Sequence, residues 1–182
     1  VLHGPRRCGK SSFLLNLSRL LPDDLFPIYV DLQSQAMTSS EGDFCYGLVR
    51  AATRDLRSRG VEAPAAVRTS FQTNPYPALE DWLDALRPIL ADRRLLFCLD
   101  EFEKLGEARE RGNVGPALFD ELRHLIQHRA ELGFVFCGAQ TLEELGPQWT
   151  NYFINARPVE ILYLEREEAR ELLLEPDPSF NL

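Results

Sequence analysis

Gly4-Pro5-Arg6-Arg7-Cys8-Gly9-Lys10-Ser11 decides the fold, because it satisfies the pattern G-x-x-x-x-G-K-[ST] without adjustment. The apolar stub Val1-Leu2-His3 precedes it, and Phe13, Leu14, Leu17, Leu20 and Leu21 form a helical stripe after it. A strand, a glycine turn and a helix are the context in which this pattern cradles phosphate. Glycines let the backbone wrap an anion with its N–H groups pointing inward, and the helix start adds a favourable dipole. Lys10 would reach the β and γ phosphates, and the Ser11 hydroxyl would ligate Mg²⁺. Gly4, Pro5, Arg6, Arg7, Cys8, Gly9, Lys10, Ser11 and Ser12 form the expected nucleotide-binding set. Arg6 and Arg7 sit at the variable positions and read as loop charges, with contact to a phosphate or to another subunit as the alternative.

A cradle needs a second element to hold the metal and to activate water. Leu95-Leu96-Phe97-Cys98-Leu99-Asp100-Glu101 is an apolar strand ending in two acids, and ligands of open α/β sheets sit at the carboxyl ends of strands. Asp100 would hold magnesium through a water ligand, and Glu101 would orient and deprotonate the water that attacks the γ-phosphate. Glu103 is the poorer base, since two residues further on it should have left the strand edge.

Outward from these two motifs, apolar runs alternate with helical patterns, which predicts an α/β fold. Strands are expected at 1–3, 26–32, 95–99, 134–138 and 159–164. Helices are expected around Phe44 to Leu56, Leu79 to Leu90, and from Gly115-Pro116 through Leu118, Leu122, Leu125 and Ile126. With the phosphate-cradle motif, this is the pattern of a three-layer P-loop NTPase fold with a mainly parallel five-stranded sheet, and resemblance to AAA+-like ATPases implies the strand order 5-1-4-3-2. Val61 to Pro77 and Lys104 to Gly115 read as loops. Glu165 to Leu174 reads as a short charged helix stopped by Pro176 and Pro178. The expected division is a core over 1–164, its first strand truncated, and the start of a truncated helical lid over 165–182.

In that sheet order the fourth strand lies between the cradle strand and the acid strand. Gln140, where the chain leaves it, is the sensor candidate for water or γ-phosphate; a cap on the next helix is the alternative, and Thr141 competes for the sensor role. Arg157, before the fifth strand, lies close to where many oligomeric ATPases keep an arginine for a neighbour's nucleotide; a solvated arginine beside Pro158 is the stronger reading. His124 and His128 are four apart, a metal-compatible spacing, but neither HExxH nor a cysteine pair supports a metal site. Trp82 and Trp149 read as packing anchors, and Asp31 and Gln33 as groups satisfying local backbone.

Composition narrows the classes. At 182 residues one sizeable core is feasible, with about 70% of the surface buried. The net charge of −8 disfavours nucleic acid and anionic lipid as partners. No apolar run reaches the roughly 18 residues of a membrane span, so no membrane is expected. The four cysteines lack paired spacing and read as buried thiols, which favours a reducing, cytoplasmic setting. The one methionine is Met37, so a chain beginning at Val1 is expected to be part of something longer. No [NT]KxD follows the cradle to read guanine.

Five phrases together carry a family resemblance: Gly4 to Ser12, Val30-Asp31-Leu32-Gln33, Leu99-Asp100-Glu101-Phe102-Glu103, Leu122-Arg123-His124-Leu125-Ile126-Gln127-His128, and Gly138-Ala139-Gln140-Thr141-Leu142-Glu143-Glu144-Leu145. The chain resembles the bacterial STAND-like ATPases, relatives of AAA+ and archaeal Orc-type ATPases. The resemblance implies ATP/ADP and Mg²⁺ as cofactors and the slowly hydrolysing core of a multidomain signalling switch. It implies partners among other domains of a larger polypeptide and a nucleotide-dependent homo-oligomer. Two alternatives stand beside it: a nucleotide-binding assembly scaffold without significant hydrolysis, and a DNA-associated AAA+ loader or initiator, against which the charge weighs.

Overall fold

In the computed structural model, which describes residues 1–174, the apolar stretches form strands β1 (Leu2–His3), β2 (Leu25–Asp31), β3 (Arg94–Asp100), β4 (Leu132–Gly138) and β5 (Val159–Glu160). They pair in the order β2-β3-β4-β1-β5, every pair parallel. This is the expected order read from the other edge. Parallel pairing sends all five carboxyl ends to one rim, where the cradle and the acid turn must therefore emerge.

The helices are α1 (Lys10–Asn16), α2 (Gln35–Thr38), α3 (Glu41–Ser58), α4 (Arg68–Thr73), α5 (Pro75–Leu90), α6 (Glu103–Glu110), α7 (Pro116–His128), α8 (Leu142–Leu145), α9 (Pro147–Tyr152) and α10 (Arg166–Leu174). Strand alternation sends Phe26, Ile28, Val30, Leu95, Phe97, Leu99 and Phe136 into one large core with the apolar faces of α3, α5 and α7. The opposite face carries Cys98 and Cys137, packed under Leu2, Leu14 and Leu17, so α1 lies across it. α3 shows how sequence dictates an element. Ser40 caps it, accepting from the Asp43 N–H at 3.1 Å, and Phe44, Leu48, Val49, Ala52 and Leu56 are buried along one stripe. Each such leucine contributes about 1.5–3 kcal/mol by burial.

β2 is an edge strand with one polarised rim. The Leu32 N–H donates to the Asp100 carbonyl and the Arg94 N–H to the Asp24 carbonyl. Even-numbered residues of β2 therefore face β3, while Leu25, Pro27, Tyr29 and Asp31 turn their backbone outward. Pro27, which has no N–H, stands where an edge strand tolerates it.

The structure corrects four expectations. The stretch 61–77 is not all loop: α4 forms within it, with Phe71 buried, and α5 starts at Pro75. Prolines in a first turn cost no hydrogen bond, so Pro75 and Pro77 open the helix instead of preventing it. The stretch 104–115 contains most of α6, whose charged run hides two buried positions, Leu105 and Ala108, three apart. β5 is two residues long instead of six, because β1 offers it only Leu2 and His3 as partners. Leu20 is exposed, since the first helix gives way to a 3-10 turn at Leu17–Arg19 and the stripe ends there. The charged helix of the tail is present as α10, with none of its residues buried; the stop at Pro176 and Pro178 and the rest of the expected lid segment lie outside the described residues.

Candidate functional site

After His3 the chain turns through Gly4 to Gly9 before α1 begins. Gly4 is fixed by crowding: a Cβ there would lie 1.9 Å from the Ile161 carbonyl oxygen. Gly9 (φ 94°) and Arg7 (φ 66°) are left-handed, and only the first is a residue type that adopts this freely. The Lys10 side chain folds under the turn it follows. Its Nζ donates to the Gly4 carbonyl at 2.9 Å and the Pro5 carbonyl at 2.7 Å, with the lysine only 8% exposed. Arg6, Arg7, Ser11 and Ser12 are exposed, and Cys8 is half-buried, which corrects its reading as a buried thiol; Cys45, Cys98 and Cys137 are buried as expected.

The acid strand meets this cradle. Ser11 Oγ donates to Asp100 Oδ2 at 2.6 Å, and Tyr29 Oη donates to the same oxygen at 2.9 Å. The Glu101 N–H donates to Asp100 Oδ1 at 3.1 Å. Asp100, 3% exposed, thus has its carboxylate oriented from three sides. Burial and the bond to Asp100 push the Tyr29 phenol above its ordinary range, so it stays a donor. Glu101 sits in the left-handed region at φ 55°, an unfavourable place for a side-chain-bearing residue and one characteristic of functional turns. Its carboxyl is raised above the ordinary 4.5, first by burial and then by Glu103 and Asp100, while Arg6 and Lys10 pull the other way. Cradle cations and twin acids are therefore electrostatic neighbours.

Gln140 is exposed and lines, with Arg6, Glu101 and Glu103, a cleft of about 580 Å³. It does not cap the next helix. Thr141 does, accepting from the Glu144 N–H at 3.2 Å while Glu144 accepts from the Thr141 N–H at 2.8 Å, so that hydroxyl is engaged locally. Arg157 is not gathered with these groups. It is exposed at the amino end of β5, its carbonyl accepting from the Val1 amino group, on the rim opposite the one where Asp100 emerges.

Asp31 Oδ1 accepts from the Gln33 N–H at 2.8 Å, a local turn bond as expected. Trp82 and Trp149 are buried anchors, the latter edge-on to Phe102 and Phe119. The His124 and His128 rings lie 4.7 Å apart, tilted to one another, and no group of three or more metal-ligating side chains occurs among the described residues. The Ser11 hydroxyl and the Asp100 carboxylate are hard oxygen donors side by side. That sparse set fits Mg²⁺, which keeps waters and takes substrate phosphates as further ligands. Two residues at this site escaped sequence reasoning in their roles. Tyr29 carries no signal beyond being near a strand end, and Glu103, discounted by distance along the chain, is returned by the turn at Glu101: its Oε1 accepts from the Ala139 N–H at 3.2 Å.

A glycine-rich cradle on β1 and a metal-competent acid on β3, both at the carboxyl rim of a 2-3-4-1-5 parallel sheet, define the P-loop class of ATPases. Residues 1–145 match the AAA domain, and the chain belongs to that family. In fold it is similar to a Walker-type ATPase of Pyrococcus abyssi, with a TM-score of 0.66 and 15% identity over 94% of this chain. The chain spans about half, 51%, of that structure's length. No curated protein matches it. No helix among the described residues is long and apolar enough to cross a membrane.

Proposed function

We propose that this domain binds Mg-ATP between the Gly4–Ser12 cradle and the Asp100–Glu101 turn, hydrolyses it slowly, and serves as the core of a STAND-like signalling switch. The observation that carries the reading is the Ser11–Asp100 contact at 2.6 Å, which joins the two halves of the site. Lys10 would exchange its bonds to the Gly4 and Pro5 carbonyls for oxygens of the β and γ phosphates. Ser11 and Asp100 would hold the metal, and charge neutralisation across the β and γ phosphates is what bound Mg²⁺ supplies. Glu101, made a stronger base by its raised carboxyl, takes the proton of the attacking water. Gln140 borders the same cleft and is suited to orienting that water or reading the γ-phosphate.

The switch role, with ATP and ADP states altering contact with attached domains, rests on the family resemblance. A nucleotide-dependent homo-oligomer gains from one observation, the placement of Arg157 on the rim away from its own chain's phosphate site: any finger it provides would act on a neighbouring copy. Steady-state phosphate release from Mg-ATP tests the reading. Turnover abolished by Lys10→Ala, with ATP binding retained but turnover lost in Glu101→Gln, supports it; turnover indifferent to both would overturn it.

A further inference from the structure

We propose that Glu103 is a positioning residue that locks the chain leaving β4, with Gln140, to the acid turn that carries Glu101, so that both polar groups meet the nucleotide as one unit. The inference rests on the nucleotide-hydrolysing reading. Glu103 opens α6 directly after the left-handed turn, and that turn swings its side chain back under β4. Oε1 accepts from the Ala139 N–H at 3.2 Å, next to Gln140 in the chain. Beside it, the Phe102 N–H donates to the Cys137 carbonyl at 3.0 Å. Two ties, one from backbone and one from a carboxylate, therefore join the acid turn to the exit of β4.

The other oxygen makes the case for function over mere packing. Glu103 Oε2 is buried and has no hydrogen-bond partner. It sits against Gly138, where a Cβ would come within 2.1 Å of it, so the absence of a side chain at 138 is what admits the carboxylate. A buried, unpartnered carboxylate oxygen is costly, and an apolar residue would avoid the cost. Such an acceptor is stabilised by any donor brought to it, and Gln140 and Arg6 line the same cleft. A shift of the β4 exit on filling the site is thereby passed to Glu101 through the Glu103 side chain together with the backbone tie.

The test uses Glu103→Ala and Glu103→Gln in the whole chain. In the ligand-free protein, the alanine variant should speed hydrogen exchange of the Ala139 amide by about tenfold or more, and the glutamine variant, whose amide oxygen still accepts, should restore it to within about threefold. With Mg-ATP, Glu103→Ala should lower kcat about tenfold or more while KM stays within about threefold, and glutamine, which keeps the acceptor for Ala139 but replaces the second oxygen by a donor, should recover it only in part. Gly138→Ala should be harmful in the wild-type background and milder beside Glu103→Ala. Unchanged Ala139 exchange in Glu103→Ala, or equal loss of kcat in both variants, would overturn the proposal. If the wild-type chain binds ATP without turnover, the functional reading falls alone; loss in Glu103→Ala of the ATP-induced shift of the Gln140 amide resonance would still support the lock, and its persistence would sink it.

Discussion

Ser11 Oγ and Asp100 Oδ2 lie 2.6 Å apart although 89 positions separate them, and Tyr29 Oη shares the same carboxylate oxygen. The carboxylate proposed to hold the metal is thus itself held by two hydroxyl donors, one of which is a candidate metal ligand. Tyr29→Phe removes only the other. The Mg²⁺ concentration that half-supports ATP binding should rise about tenfold, within the range typical of residues that orient a metal ligand. Asp100→Asn should raise it further, and metal-free nucleotide binding should be unaffected by Tyr29→Phe. Isothermal titration at several Mg²⁺ concentrations decides this.

Glu101 combines an unfavourable backbone conformation with a catalytic assignment, so stability and turnover should move in opposite directions. Glu101→Gly relieves the left-handed strain and should stabilise the fold by about 1 kcal/mol while abolishing hydrolysis. Thermal melting and phosphate release on one preparation give both numbers.

The pH dependence follows from the raised Glu101 carboxyl. A base works only when ionised, so the acid limb of kcat should lie above pH 4.5, the group's ordinary value. Arg6 opposes that rise, and Arg6→Ala should carry the limb to still higher pH. The stability sign is opposite: because the folded state holds this proton more tightly than the unfolded chain, Glu101 favours folding below the ordinary value and loses that contribution as pH climbs through its folded one. A kcat profile paired with urea midpoints over the same range separates the two effects.

Gly4 and Gly9 should respond to alanine unequally. Gly4→Ala drives a Cβ into the Ile161 carbonyl beyond β5, whereas Gly9→Ala meets nothing within 4 Å and incurs only left-handed strain, about 1 kcal/mol. Gly4→Ala should therefore lower the melting temperature more than Gly9→Ala.

Thiol labelling should be selective. Burial pushes Cys45 and Cys98 up to about 12 and raises Cys137 as well, so none of the three offers appreciable thiolate at neutral pH. Cys8 is half-buried in the cradle and within 3.8 Å of Lys10 Nζ. Native protein should take up one equivalent of iodoacetamide, at Cys8, and Mg-ATP should slow it; mass spectrometry of the labelled peptides is the check.

The cradle, the acid strand and the parallel α/β class were legible because each rests on a local rule: fixed glycine spacing, an apolar run ended by acids, and alternation of strand with helix; the strand order came from the family resemblance. α6 was not, since a run as charged as Glu103 to Arg111 shows two buried positions only once Trp149 stands beside Gly106. Tyr29 and Glu103 were missed for a related reason. Their partners, Asp100 and Ala139, lie 71 and 36 positions away, and only a formed sheet rim brings them within bonding distance.

Pro27 leaves a gap in the outward-facing ladder of β2 midway along the strand. A peptide laid alongside would find a donor missing there, so the sheet ends at this border by its own chemistry. Copies or companion domains that meet this edge would recognise it through side chains, and β-type polymerisation across that border is disfavoured from the outset.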